Sequence, residues 1–87
     1  MAYFVYILKC SDNTLYTGIT SDLKKRITAH NDGKGAKYTR GRRPVEIIYS
    51  EECPDRAHAL RREIEIKKMP RAEKLRLINS DETIFYS

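Results

Sequence analysis

In the stretch Phe4-Val5-Tyr6-Ile7-Leu8-Lys9-Cys10-Ser11-Asp12-Asn13-Thr14-Leu15-Tyr16-Thr17-Gly18, two apolar and aromatic runs flank Ser11-Asp12-Asn13, a cluster of turn-favouring side chains. The spacing predicts a β-hairpin in which Cys10 pairs with Thr14 around a three-residue loop. Tyr6 then lies opposite Gly18 and Leu8 opposite Tyr16. Because strand side chains alternate, Tyr6 and Tyr16 share one face as diagonal neighbours, and Gly18 leaves open space beside the Tyr6 ring. A slip of one residue would send the two tyrosines to opposite faces.

Ala2 to Lys9 is apolar on both alternating faces, the mark of a central strand covered on both sides. Leu15 to Ile19 is its hairpin partner. Thr20 or Ser21 offers an N-cap for a helix that runs to about His30, where Asn31 and Gly33 end it. Asn31 to Arg43 has no apolar periodicity and holds three glycines, five basic residues and Tyr38. Loops of that length in compact domains are usually functional or disordered. Pro44 admits a strand from Val45 to Ser50, with Val45, Ile47 and Tyr49 alternating against Glu46, Ile48 and Ser50. A second helix starts near Pro54 and continues to about Lys68; Pro70 ends it and opens a third, Arg71 to Ile78. The expected architecture is α/β of the α+β kind: a three-stranded antiparallel sheet, order 2-1-3, flanked by three helices in the topology β-β-α-β-α-α. Residues 1–79 form a single domain in this reading, and 80–87 a frayed or disordered C-terminal tail.

At 87 residues the chain carries a small core, and no run of about 18 apolar residues offers a membrane span. The N-terminus has no signal-like pattern, and two distant cysteines, Cys10 and Cys53, suit a reducing cytoplasmic setting rather than a disulfide framework or zinc site. Charge is unevenly placed. Eight basic residues lie between Lys24 and Arg43 against one acid, Asp32, an electrostatic footprint suited to a phosphate backbone. A solubilising surface is the plainer account of the same residues.

Two helices carry charge where apolar side chains belong. The first has its core-facing stripe at Leu23, Arg26, Ile27 and His30. Arg26 on that stripe either snorkels along the core or meets an anion near the hairpin. His30 suits the helix C-terminus electrostatically. On the second helix Glu63 has Ala59, Leu60, Ile64 and Ile66 as neighbours, with Lys67 at i+4 as a ready ion-pair partner. No phosphate-loop pattern, metal-ligand histidine spacing or serine-nucleophile elbow is present.

Together these residues resemble the GIY-YIG nuclease superfamily, most closely its small standalone single-domain members, over roughly Tyr3 to Ile78. Phe4-Val5-Tyr6 stands in the place of the first signature tripeptide and Tyr16-Thr17-Gly18 in that of the second. Leu23 to His30 resembles the helix bearing the family's arginine and histidine, Leu60-Arg61-Arg62-Glu63 the helix bearing its acidic metal ligand, and Gly35 to Arg40 the loop of the small standalone group. Phe4 and Val5 depart from the glycine and isoleucine of the first tripeptide, and Thr17 from the isoleucine of the second.

The resemblance implies hydrolysis of phosphodiester bonds with one divalent cation, Mg2+ or Mn2+, held by Glu63. Tyr6 would serve as general base or its assistant, with Arg26 or a metal-bound water lowering its pKa, and Tyr16 would orient water or phosphate. Arg26 would stabilise the pentavalent phosphate, and His30 would relay a proton or position that phosphate. Lys34, Lys37, Tyr38, Arg40, Arg42 and Arg43 would bind the nucleic acid, Tyr38 by stacking on an unpaired base. Gly18 would give close backbone approach to a phosphate; Lys67 and Asn79 are lesser candidates. The expected substrate is DNA more than RNA, structured or single-stranded, in repair or recombination, with a protein partner supplying target choice. A non-catalytic nucleic-acid binding module is the alternative.

Overall fold

The computed structural model describes residues 2–86, the side chains of 80–86 excepted. Strands β1 (Tyr3–Lys9) and β2 (Leu15–Thr20) form the hairpin. The Cys10 N–H donates to the Thr14 carbonyl at 2.9 Å, and Asn13 takes the left-handed conformation, φ 72°, that lets a three-residue loop close. Tyr6 pairs with Gly18 and Leu8 with Tyr16, the register read from the sequence. Strand β3 (Glu46–Cys53) lies antiparallel on the other edge of β1, giving the order β2-β1-β3. Helix α1 (Leu23–Asn31) and a single turn, α2 (Lys37–Arg40), separate β2 from β3, while α3 (Arg56–Lys68) and α4 (Arg71–Tyr86) follow it.

The apolar run of β1 is buried on both faces, as a central strand requires. Val5 and Ile7 pack with Tyr49, Cys53, Ala59 and Ile66 beneath α3 and α4. Tyr6 and Leu8 pack on the opposite face with Cys10, Val45, Leu23 and Ile27 beneath α1. Among the described residues no helix is long and apolar enough to cross a membrane.

Four local differences from the sequence reading have identifiable causes. The N-cap of α1 is Asp22, whose carboxylate accepts from the Lys25 N–H at 3.1 Å; Thr20 is still paired with Phe4 in the sheet. Tyr49 does not share a face with Val45 and Ile47. A β-bulge pairs Ile7 with Tyr49 but Leu8 with Ile47, and the extra residue, Ile48, inverts the alternation. The loop contains the fourth helix, α2, which the lack of periodicity concealed. Helix α4 passes Ile78 because no proline or glycine follows to stop it. The expected loose tail, 80–87, falls on side chains outside the described residues.

Candidate active site

Tyr6 occupies the middle of the central strand, and its ring lies across Gly18. A Cβ added at Gly18 would meet Tyr6 Oη at 2.6 Å and the Tyr16 ring at 3.1 Å. The glycine therefore makes room for the Tyr6 hydroxyl; the space expected to admit a phosphate is filled by the tyrosine itself. Tyr16, one diagonal away, has its ring centroid 6.4 Å from that of Tyr6 and 5.4 Å from the His30 ring.

The stripe of α1 delivers both of its polar members to this face. His30 is fully buried, with Nε2 3.0 Å from Tyr6 Oη and Nδ1 2.8 Å from Thr39 Oγ1. It is a core residue with both ring nitrogens engaged rather than a surface charge at a helix end. Arg26, one turn earlier, donates from Nε to Tyr6 Oη at 3.4 Å. Its partner is a phenol, so its charge remains available to an anion. A groove of about 210 Å³ beside it is lined by Thr20, Ser21, Asp22, Lys25, Arg26 and Ala29.

Burial raises the Tyr6 pKa above its ordinary value of 10.0, and this outweighs the hydrogen bond and charge of Arg26, which pull it down. Arg26 acts on Tyr6 in the expected direction, towards phenolate, but desolvation wins and the net shift is upward. His30 shifts the other way, lowered from 6.5 by burial and then by the Arg26 charge. Near neutrality the pair is a neutral phenol facing a neutral imidazole.

Glu63 on α3 is near enough for its charge to help raise the Tyr6 pKa. Its side chain is 16% exposed, and Lys67 Nζ lies 3.5 Å from Oε2, the i,i+4 pair foreseen from sequence. Among the described residues no group of three or more His, Cys, Asp or Glu is arranged to hold a metal. Asn79 lies exposed on α4.

The basic loop divides in two. Arg42 donates to Asp12 at 2.9 Å and to the Tyr38 carbonyl at 2.8 Å, with its guanidinium 4.0 Å from the Tyr38 ring centroid. Arg43 donates to the carbonyls of Arg40 and Asn31. Tyr38 stacks on Tyr16 with centroids 5.9 Å apart, so its ring is already engaged within the protein. Lys34, Lys37 and Arg40 are exposed. Four residues of this region were not assigned to the site from sequence: Asp12, Asn31, Gly35 and Thr39. Only the Gly35-to-Arg40 run offered a signal, as part of the loop resemblance.

A central tyrosine, a second tyrosine beside a glycine on the paired strand, and an arginine and histidine on the following helix define a class. The chain belongs to the GIY-YIG catalytic domain family, matched over residues 2–76, a family of nuclease type. It is 53% identical over 76 residues to a UPF0213 protein of Staphylococcus haemolyticus, spanning 87% of this chain and 93% of the relative. A UPF0213 protein of Clostridium perfringens is 57% identical over 77 residues, 88% and 83% of the two chains. The solution structure of a UPF0213 protein of Bacillus halodurans superposes with a TM-score of 0.59 at 44% identity, covering 91% of this chain and 84% of that one. That of an E. faecalis protein gives 0.66 at 34% identity, covering 95% and 88%.

Proposed function

We propose that the protein is a metal-dependent endonuclease that hydrolyses phosphodiester bonds in DNA. The observation that carries this reading is the run of contacts from the half-buried Arg26 through the buried Tyr6 to the buried His30, with the α3 acid Glu63 near enough for its charge to act on Tyr6. An arginine next to a phenol–imidazole pair combines an anion site with a route for a proton.

In this mechanism a scissile phosphate binds against Arg26, whose guanidinium balances the charge that grows on the phosphoryl oxygens. Tyr16 donates its hydroxyl to water or phosphate. Water attacks phosphorus in line as the bond to the leaving oxygen breaks. Its proton passes to Tyr6 Oη, while the Tyr6 proton moves to His30 Nε2. A neutral tyrosine with a raised pKa is a poor base alone, and the imidazole at 3.0 Å supplies the acceptor it lacks. Glu63 fits a hard divalent cation of the Mg2+ or Mn2+ type, which such proteins bind through one or two carboxylates, several waters and a substrate phosphate. Bound there, the cation would supply charge stabilisation at the leaving oxygen. With a single carboxylate, and Lys67 paired to it, that cation is expected to bind chiefly together with the nucleic acid.

The test is cleavage of labelled branched, single-stranded and duplex DNA and of RNA, with Mg2+ or Mn2+, by wild type and Glu63→Ala. Metal-dependent DNA cleavage lost in Glu63→Ala is expected. Equal cleavage by both proteins would remove Glu63 from the site. Salt-sensitive binding without cleavage under either metal would establish the binding module instead.

A further inference from the structure

We infer that Thr39 is a positioning residue that fixes the His30 tautomer and thereby the direction in which the Tyr6 proton can travel. The inference rests on the hydrolytic reading for its catalytic consequence, although the tautomer itself does not. Thr39 Oγ1 lies 2.9 Å from the Ala36 carbonyl oxygen and 2.8 Å from His30 Nδ1. A carbonyl oxygen only accepts, so the one hydroxyl proton is committed to Ala36; otherwise two sets of lone pairs would face each other. The hydroxyl oxygen is then an acceptor towards His30, and Nδ1 carries the ring proton. In a neutral imidazole the other nitrogen is left as a bare acceptor.

That nitrogen is Nε2, 3.0 Å from Tyr6 Oη. Arg26 can only donate and occupies a lone pair of the same phenol oxygen, which directs the Tyr6 hydroxyl proton to Nε2. Every bond in the series runs one way: Arg26 to Tyr6, Tyr6 to His30, His30 to Thr39, Thr39 to the Ala36 carbonyl. When the Tyr6 O–H bond breaks, the new N–H forms on Nε2. The imidazolium keeps its Nδ1 proton on Thr39, and the phenolate keeps Arg26. In the opposite tautomer Nε2 would already hold a proton and could accept none. His30 and Thr39 are both fully buried, so bulk water does not replace the hydroxyl. Gly35 closes the remaining side, since a Cβ there would overlap Nδ1 and Cγ of the His30 ring.

The tautomer is read directly from histidine 15N shifts at neutral pH, with His58→Gln separating the two histidines. Wild type is expected to show a protonated Nδ1 and a bare Nε2. Thr39→Val, similar in shape but without the hydroxyl, is expected to move the proton to Nε2 and lower cleavage by about 10²-fold. Thr39→Ser is expected to restore both. A wild-type Nε2–H tautomer, or one unchanged in Thr39→Val, would overturn the inference. The wild-type spectrum decides the assignment even if Thr39→Val does not fold. A wild type with the expected tautomer that cleaves nothing would support the positioning role and overturn the hydrolytic reading alone.

Discussion

Inside the fold, His30 has no water to solvate a positive charge and has an arginine close by. Both effects hold its pKa below the ordinary 6.5, burial contributing more. In the unfolded chain the imidazole returns to the ordinary value. Between the two pKa values the unfolded chain takes up a proton that the folded chain refuses, so stability falls as pH drops from about 6.5 towards the folded pKa and levels off below it. Above about 6.5 the group contributes nothing to the pH dependence. Urea unfolding between about pH 7.5 and 5 should therefore show wild type losing stability on acidification. His30→Gln, although weaker throughout, should show a flatter profile. His58 is common to both proteins and cancels in the comparison. Equal slopes would show that His30 is not the source.

One side chain joins two elements that the sheet ladder does not. Asn31, the last residue of α1, accepts from the Val45 N–H at 2.8 Å and donates to the Val45 carbonyl at 3.1 Å, imitating a strand partner at the entrance to β3. Val45 is 5% exposed, so removing the amide strands two backbone groups where water barely reaches. Asn31→Ala should cost about 2–4 kcal/mol in urea unfolding, each of the two groups contributing about 1–2 kcal/mol, the lower part of the usual range because Asn31 itself is exposed. A loss below about 1 kcal/mol would mean that water takes over both bonds. The sequence marked Asn31 only as a helix terminator, because its partner lies fourteen residues on, across an irregular loop. The hairpin was legible for the opposite reason: its turn chemistry, alternation and pairing are all local. The bulge at Ile48 was not, since an apolar residue satisfies either register until β1 is laid beside it.

Across the whole molecule the sheet divides the work. Val5, Ile7, Ala59 and Ile66 face a conventional apolar core, while Tyr6, Tyr16 and His30 occupy the face beneath α1. The tyrosine pair, Arg26, His30 and Glu63 were readable from sequence because each breaks a pattern or holds a motif position. Thr39 had only its place in the Gly35-to-Arg40 run to mark it, since a threonine in a polar loop breaks no pattern. Charge shows the same limit. The +5 net charge and the run of basic residues are visible in the sequence, but not which of them hydrogen-bond to other parts of the chain. Arg42, half-buried, and Arg43, itself exposed, donate to Asp12 and three backbone carbonyls, and Lys34, Lys37 and Arg40 are exposed. The two sets should respond differently to mutation. Replacing Lys34, Lys37 and Arg40 together by alanine should weaken single-stranded DNA binding alike across sequences. It should also flatten the log Kd against log salt slope by about 2, or roughly 0.7 per lost phosphate contact. Arg42→Ala should instead lower the unfolding midpoint, because the ties among Asp12, Tyr38 and the loop go with it, and leave the salt slope near that of wild type. If the triple variant keeps the wild-type slope, Lys34, Lys37 and Arg40 are not the phosphate-binding surface. If Arg42→Ala flattens it, Arg42 leaves Asp12 for the nucleic acid and the loop rearranges on binding.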